Sequence, residues 1–337
     1  MIFHFSIGPL LMIRTVATVT FTFAALAICL GLSAAFGAGP LLVAGKPIAL
    51  VGKPGKLDFM AYDLKRDRIL ATHTSAHHLV VIDAKAKQVL AAIEVGDAQG
   101  VAVDEEAGRY FAGTDDGKSV VLIDAVKFTI IGKIDVGAPV DAMVFDPKNH
   151  RLYAAADDGN QLWVIDPSQL KIVAKVAIPG VPEGLSYDLK LDRLFLNIKD
   201  KDLLVRINPE TNAVEATWST LPAKSPHGLV LDRERSRAYV AGRNSQLVSI
   251  DLSSGNHLSS TSIGEGNDQI AFDSKSQRLY SACKNKISVT QVSDSGLKPL
   301  GDEPIPKGAH SVAFSDVSQT IWITYSDASK SYALPLK

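Results

Sequence analysis

Seven polar residues recur along the chain at nearly even intervals and are the residues best suited to binding or chemistry. They are Asp58, Gln99, Asp141, Glu183, His227, Asp268 and His310, at intervals of 41, 42, 42, 44, 41 and 42 residues. All seven side chains are of types that can form hydrogen bonds, and all but the glutamine can also carry charge or ligate metals. Equivalent positions in a repeat occupy equivalent places in a fold, so we expect these ring residues to surround one site.

Each ring residue stands five positions before the end of the first strand in a recurring phrase, which consists of an apolar strand, a polar turn and a second strand. The first strand ends at positions 63, 104, 146, 188, 232, 273 and 315. Six copies have Asp there and Arg five residues later, and the seventh replaces both, with Ser315 and Thr320. We therefore interpret the pair as a salt bridge across a hairpin.

Each copy continues with a third strand ending in a turn residue such as Asp83 and a fourth with alternating apolar residues. Four short strands in a unit of roughly 42 residues are typical of propeller blades. We predict an all-β fold, a seven-bladed β-propeller with four antiparallel strands per blade, over residues 41–337. The last copy lacks a fourth strand, and residues 46–52 match its pattern, so we expect this N-terminal strand to complete the last blade.

The phrases Arg68-Ile-Leu-Ala-Thr-His73 and Arg151-Leu-Tyr-Ala-Ala-Ala156 resemble the repeat of the YncE-like, or YVTN-repeat, β-propellers of bacterial exported proteins. The resemblance covers about residues 41–337 and implies the propeller fold. Because that family has no agreed catalytic motif, the resemblance implies no catalytic residue.

The N-terminal segment has the three-part pattern of a secretory signal peptide over residues 1–37. Arg14 is the only Lys, Arg, Asp or Glu before Lys46, and it precedes an apolar run over residues 16–32 and small residues over 33–37. Cleavage after Ala35 or Gly37 is expected, with a transmembrane anchor as the alternative, and Met12 is a second candidate start. We expect a periplasmic or secreted protein with no anchor after cleavage.

Charge and cysteine content narrow the classes of partner and of reaction. A formal net charge of −1 gives no general attraction for nucleic acid. Loss of residues 1–37 leaves Cys283 alone, which excludes an internal disulfide, and its strand position predicts a small buried residue. No Gly-x-Ser-x-Gly elbow or phosphate-binding glycine loop is present. We expect a monomer.

Alternating strand directions place the loops between second and third strands on the same face as the ring residues. These loops carry His73, His77, Arg243 and Asn244, which we expect to surround the ring, and also Asp157 and Lys199. The longest repeat adds a loop with two prolines before His227, either a rim over the mouth or an ordinary surface loop with Trp218 packed on an outer strand.

A divalent metal is one candidate occupant of the ring. His227, Asp268 and His310 belong to consecutive blades and suit zinc, iron or manganese, while Asp141 and Glu183 suit calcium. The spacing of these residues matches no known metal-binding motif. Alternatively, the residues are polar simply because the mouth of a propeller channel is exposed to water. No other cofactor is indicated.

The sequence favours an exported, non-catalytic binding or interaction module whose partner is a small molecule or a protein at one face. The alternative is a metal-assisted hydrolase or lactonase, with Glu183 or His227 as base beside a metal-activated water. A purely structural module of the cell envelope is the third interpretation.

Overall fold

Short apolar runs, each ended by a polar turn, fold into β-strands throughout the part of the chain that the computed structural model describes, residues 39–337. The predicted signal peptide over residues 1–37 lies outside the described residues. Between residues 39 and 337 the only helical segment is one 3₁₀ turn, Thr74–Ala76. In this range no helix is long and apolar enough to span a membrane.

The strands of the first half are β1 (Ile48–Ala49), β2 (Met60–Asp63), β3 (Arg68–His73), β4 (His78–Asp83), β5 (Gln88–Glu94), β6 (Ala98–Asp104), β7 (Arg109–Thr114), β8 (Ser119–Asp124), β9 (Ile130–Asp135), β10 (Val140–Asp146), β11 (Arg151–Ala156), β12 (Gln161–Asp166) and β13 (Lys171–Ala177). Those of the second half are β14 (Pro182–Asp188), β15 (Arg193–Ile198), β16 (Leu203–Asn208), β17 (Ala213–Ser219), β18 (Pro226–Asp232), β19 (Arg237–Gly242), β20 (Gln246–Asp251), β21 (His257–Ser262), β22 (Ile270–Asp273), β23 (Arg278–Cys283), β24 (Lys286–Ser293), β25 (Gly296–Pro304), β26 (Val312–Ser315), β27 (Thr320–Ser326) and β28 (Ser331–Leu336).

These strands form seven four-stranded antiparallel sheets arranged as a ring. Blades 1 to 6 each take four consecutive strands, from β2–β5 to β22–β25, and blade 7 takes β26, β27, β28 and β1. The first strand of each blade contacts the first strand of the next, and β26 contacts β2, so the ring is closed. The predicted seven-bladed propeller is confirmed.

The two ends of the propeller meet in blade 7, as predicted. Strand β1 pairs antiparallel with β28, where Ile48 lies opposite Ala333 and Ala49 opposite Tyr332. His73 of blade 1 strengthens the junction, because its fully buried imidazole forms a 2.9 Å hydrogen bond with the Ser331 hydroxyl. The closure is therefore non-covalent and joins blades 7 and 1.

The repeated aromatic residue of the second strands is packed between blades. Tyr110, Tyr153, Phe195 and Tyr239 are fully buried and Tyr280 is nearly so. Tyr110 also donates a 2.8 Å hydrogen bond to Asp63 of the preceding blade. These aromatic side chains pack between neighbouring sheets and are too buried to contact a ligand.

The expected hairpin salt bridge is wrong for five of the six Asp–Arg copies. Within the described chain only Asp104 and Arg109 form it, at 2.6 Å. Four of the other five arginines bind other partners, as Arg151 does with Asp166 at 3.2 Å and Arg193 with Glu215 at 2.7 Å.

The side chain of the recurring Asp accepts hydrogen bonds from backbone N–H groups of the turn that follows it. Asp146 accepts the backbone N–H of Lys148 at 2.9 Å, and Asp188 accepts that of Lys190 at 2.8 Å. Ser315 does the same in blade 7, accepting from Ser318 at 2.9 Å. Asp recurs because a short side-chain acceptor satisfies turn amides, and a serine hydroxyl is an adequate substitute.

Cys283 is a buried core residue, as expected from its place at the end of β23. Its thiol donates to the Ser281 carbonyl at 3.4 Å. Burial raises the pKa of the thiol to about 11, which keeps it protonated and unreactive at neutral pH.

Leu50 provides a test of the closure, because it is buried between blades 7 and 1 while its neighbour Val51 is exposed. We expect Leu50→Ala to lower the free energy of unfolding by about 2–5 kcal/mol. Val51→Ala should change it by no more than about 0.5 kcal/mol. Urea unfolding measures both, and equal effects of the two substitutions would contradict the docked N-terminal strand.

Candidate functional site

All seven ring residues line one cavity of about 410 Å³, which we call the mouth cavity. Four of them stand within the first strands β6, β10, β14 and β18, and Asp58, Asp268 and His310 each lie two residues before a first strand. The repeat thus brings together side chains that are up to 252 positions apart, as 310 − 58 shows. Their role in binding stays a prediction.

Glycines after three ring residues allow the first strands to approach closely at the mouth. A Cβ atom on Gly100 would lie 1.5 Å from the Asp141 carbonyl oxygen, and one on Gly184 would lie 2.3 Å from that of His227. Both distances are far below a permitted contact, so only glycine fits. The missing side chains let the ring residues converge.

One side of the mouth cavity holds a group formed by Glu183, Lys199 and His227. The Lys199 Nζ atom lies 2.9 Å from Glu183 Oε2, and His227 Nε2 lies 3.8 Å from the same oxygen. Burial raises the pKa of Glu183, although the charges of His227 and Lys199 oppose that rise. The carboxylate is therefore partly neutralised and held in place by its neighbours.

His227 itself has one nitrogen occupied and one facing the cavity. Its Nδ1 lies 2.8 Å from the Ser225 carbonyl oxygen, which only accepts, so Nδ1 carries the proton. The side chain is 8% exposed. In neutral imidazole the Nε2 lone pair is then directed at the cavity, toward Glu183.

The next part of the cavity is an ion-paired group of Asp268, His310 and Arg243. His310 Nδ1 lies 2.8 Å from Asp268 Oδ2, and Arg243 Nη2 donates to Asp268 Oδ1 at 3.0 Å. Burial alone would raise the pKa of Asp268, but the hydrogen bond and charge of His310, helped by Arg243, hold it well below its usual range. The same hydrogen bond raises the pKa of His310.

Lys56 completes the third group. Its ammonium lies 2.8 Å from Asp58 Oδ2 and donates to Gln99 Oε1 at 2.9 Å. Burial acts to lower the pKa of Lys56, but the charge and hydrogen bond of Asp58, together with the charges of Asp141 and Asp157, raise the net pKa. Two of the ring residues are therefore already joined by a lysine.

Asp141 differs from the other acids of the ring, because no residue between 39 and 337 forms a hydrogen bond or salt bridge with its carboxylate. Burial raises its pKa well above the usual value, and the charges of Glu183, Asp58, Asp157 and Asp268 raise it further. A carboxyl group that lies near several other acids and has no salt-bridge partner favours a cationic or proton-donating ligand.

The sequence grouped His227, Asp268 and His310 as one metal set, and the structure divides them. Two sets of donor atoms lie within 4.8 Å of one another, Asp58 with Asp268 and His310, and Glu183 with His227 and Asp268. Asp268 is common to both sets.

Three of the four expected neighbours of the ring do not line the mouth cavity. His73 is buried in the blade junction, and His77 is exposed after the 3₁₀ turn. Asn244 binds the loop beside it, donating to Pro222 O at 2.9 Å and accepting from Lys224 N at 2.8 Å. Arg243 does line the cavity.

The proline-containing loop before His227 is not part of the cavity wall. Instead it presents the Ser225 carbonyl to His227, and Asp202 fixes Ser225 by accepting its N–H at 2.7 Å. Trp218 packs on Phe195 from the outer strand β17, as its position predicted. The extra residues thus orient a ring side chain.

Lys56, Gln269 and Lys284 line the cavity but did not stand out in the sequence. Lys56 precedes the first repeat, so no equivalent position drew attention to it. The sequence did identify Asp157 and Lys199, because they lie in the loops of their own blades that correspond to the loop of Arg243.

The sequence matches no protein-family model and no curated protein. Solved structures do share the fold. A chain of Kuenenia stuttgartiensis hydrazine synthase has a TM-score of 0.72 and 13% identity, covering 84% of this chain and 96% of that one. A chain of the mitotic checkpoint complex has 0.73 and 14%, covering 95% and 99%.

The Myceliophteria thermophila Cps50 (Swd1) β-propeller domain has a TM-score of 0.68 and 12% identity, covering 87% of this chain and 99% of that domain. Such low identities establish the propeller fold alone. The resemblance to YncE-like propellers stays a prediction.

Asp141→Asn tests the charge balance of the cavity. The native protein holds this proton more tightly than the unfolded chain, so ionisation of Asp141 costs stability as pH rises from about 3.8 through its raised folded pKa. We expect the substitution to raise the unfolding midpoint by a few degrees at pH 8 and by less at pH 4. Asp158→Asn, at an exposed carboxylate of the same face, should show no such pH-dependent gain. A stability loss for Asp141→Asn at pH 8 would contradict this reading.

Proposed function

We propose that the chain is an exported, non-catalytic β-propeller that binds a small polar ligand in the mouth cavity. The observation that carries the proposal is Asp141, a half-buried carboxyl group that has no hydrogen-bond or salt-bridge partner within residues 39–337 and lies on the wall of a cavity lined by all seven ring residues. Ionisation of a carboxyl group that has no partner costs free energy, and a ligand that supplies a cation or a donor offsets that cost.

The size and the polar groups of the cavity fit a small molecule. A volume of about 410 Å³ is within the range of small-molecule pockets, roughly 300–1,000 Å³. Asp141 and Glu183 suit an amine or hydroxyl group, while Lys199 and Arg243 suit a carboxylate. A ligand that carries both kinds of group satisfies both kinds of residue.

The site of action follows from the N-terminal segment. The secretory pattern over residues 1–37 supports export to the periplasm or beyond. A protein partner that inserts one polar side chain into the mouth is a related form of the proposal, because propellers also occur in multiprotein assemblies such as the mitotic checkpoint complex.

A thermal-shift panel tests the proposal. Amines, amino acids, sugar acids and neutral sugars are added separately to the purified protein, to Asp141→Asn and to Glu234→Gln, an exposed carboxylate in a turn of blade 5. We expect at least one class to stabilise the wild type and Glu234→Gln, by about 2.7 kcal/mol at a hundredfold excess over Kd. Loss of that shift in Asp141→Asn supports the site, and equal shifts in all three proteins would refute it.

A metal-assisted hydrolase or lactonase is the second candidate, favoured by the open Nε2 of His227 only 3.8 Å from the Glu183 carboxylate. Glu183 would then act as a general base toward a metal-activated water. Lactones and aryl esters, assayed with added Zn²⁺, are the test substrates. We expect Glu183→Gln to lower kcat at least about 100-fold while Glu234→Gln leaves it unchanged. Wild-type hydrolysis no faster than buffer eliminates this candidate.

A further inference from the structure

We infer that Glu183, His227 and Asp268 form a binding site for one divalent transition-metal ion, with zinc the best match. The inference rests on the proposed function, since it names an occupant for part of the mouth cavity. Their donor atoms lie within 4.8 Å of one another, although the residues come from the first-strand region of three consecutive blades.

The orientation of His227 points to a metal independently of the acidic neighbours. Its side chain is 92% buried, taking 100% less the 8% exposed, and no residue of the described chain hydrogen-bonds Nε2. Nδ1 is committed to the Ser225 carbonyl at 2.8 Å. Metal-binding histidines characteristically donate the other ring N–H to such a carbonyl, which fixes the tautomer and aims the lone pair.

The two carboxylates also have the outer partners that metal ligands use. Asp268 accepts from His310 and Arg243, and Glu183 accepts from Lys199 at 2.9 Å. Each carboxylate oxygen has two lone pairs, so these bonds leave room for an ion. All three donors are therefore held by a second layer of residues, as ligands of metals generally are.

Binding of one ion requires the three donor atoms, which lie within 4.8 Å of one another, to move closer together. Zinc binds imidazole nitrogen and carboxylate oxygen at about 2.0–2.2 Å, which sets tetrahedral ligands roughly 3.4 Å apart. Glu183 Oε2 and His227 Nε2 are 3.8 Å apart. The fourth position faces the cavity and is left for water or a ligand.

The donor set selects among ions. One imidazole and two carboxylates suit zinc, whereas calcium takes six to eight oxygens and magnesium retains much of its water. The nearby Asp141 carboxyl group adds attraction for a dication only where it is ionised. Lys199 and Arg243 offset part of it, so the ion binds in competition with two cationic side chains.

Zinc binding to EDTA-treated protein, followed by calorimetry, tests the inference. We expect one Zn²⁺ per chain, undisturbed by excess Mg²⁺, and at least a tenfold weaker affinity in Glu183→Gln and in His227→Gln. His257→Gln, an exposed histidine on outer strand β21, is the matched control and should keep wild-type affinity. Circular dichroism confirms that each variant is folded.

Cobalt gives a second measurement, because ligand-field absorption reports direct coordination and not merely a stable fold. We expect Co²⁺ bands in the wild type and His257→Gln and their loss in His227→Gln. Absence of stoichiometric zinc binding, or unchanged bands in His227→Gln, overturns the inference.

The two proposals fail separately. If zinc does not bind but a small molecule still stabilises the wild type and not Asp141→Asn, the ion site is refuted and the ligand site stands. If zinc binds as expected and no small molecule stabilises the protein, the ion site stands and the small-molecule form of the proposed function is refuted.

Discussion

The close approach of seven first strands around one axis is the constraint on which the site depends. Each strand packs against the next, and β26 returns to β2, so the residues at their starts have no freedom to separate. Gly100 and Gly184 permit this approach because any Cβ there would collide with the neighbouring backbone. Polar side chains from all seven blades therefore share one small volume, and their charges act on one another strongly.

Within that volume the charges are unevenly compensated. Asp58, Glu183 and Asp268 each have a lysine, arginine or histidine partner, while Asp141 has no salt-bridge partner within residues 39–337. Hydration alone would favour polar residues in the cavity but would not require three paired carboxylates beside one that is unpaired. Three carboxylates of the ring residues are paired with cationic groups and the fourth is not. This unequal distribution of charge would orient a ligand that carries a cationic group at one end and an anionic group at the other.

The fold and the composition of the ring could be predicted because both follow from a strict repeat, in which period, alternation and turn residues agree. The finer geometry could not. The Asp and Arg of each hairpin are opposite in register, yet turn amides and neighbouring blades compete for their side chains, and only blade 2 keeps the pair. Likewise, the division of His227 and His310 between two donor sets depends on rotamers, and Lys56 lies outside the repeat, where no pattern identifies it.

The meeting of β1 with β28 has a consequence for how the molecule is made. Strand β1 can pair with β28 only after residues 331–336 have been synthesised, so the ring stays open until then. The strands of blades 1 to 6 can pair in chain order. Blade 7, which closes the ring, is complete only when β28 has paired with β1. Until then the earlier sheets form an open arc, so the order of synthesis itself delays the locking of the fold.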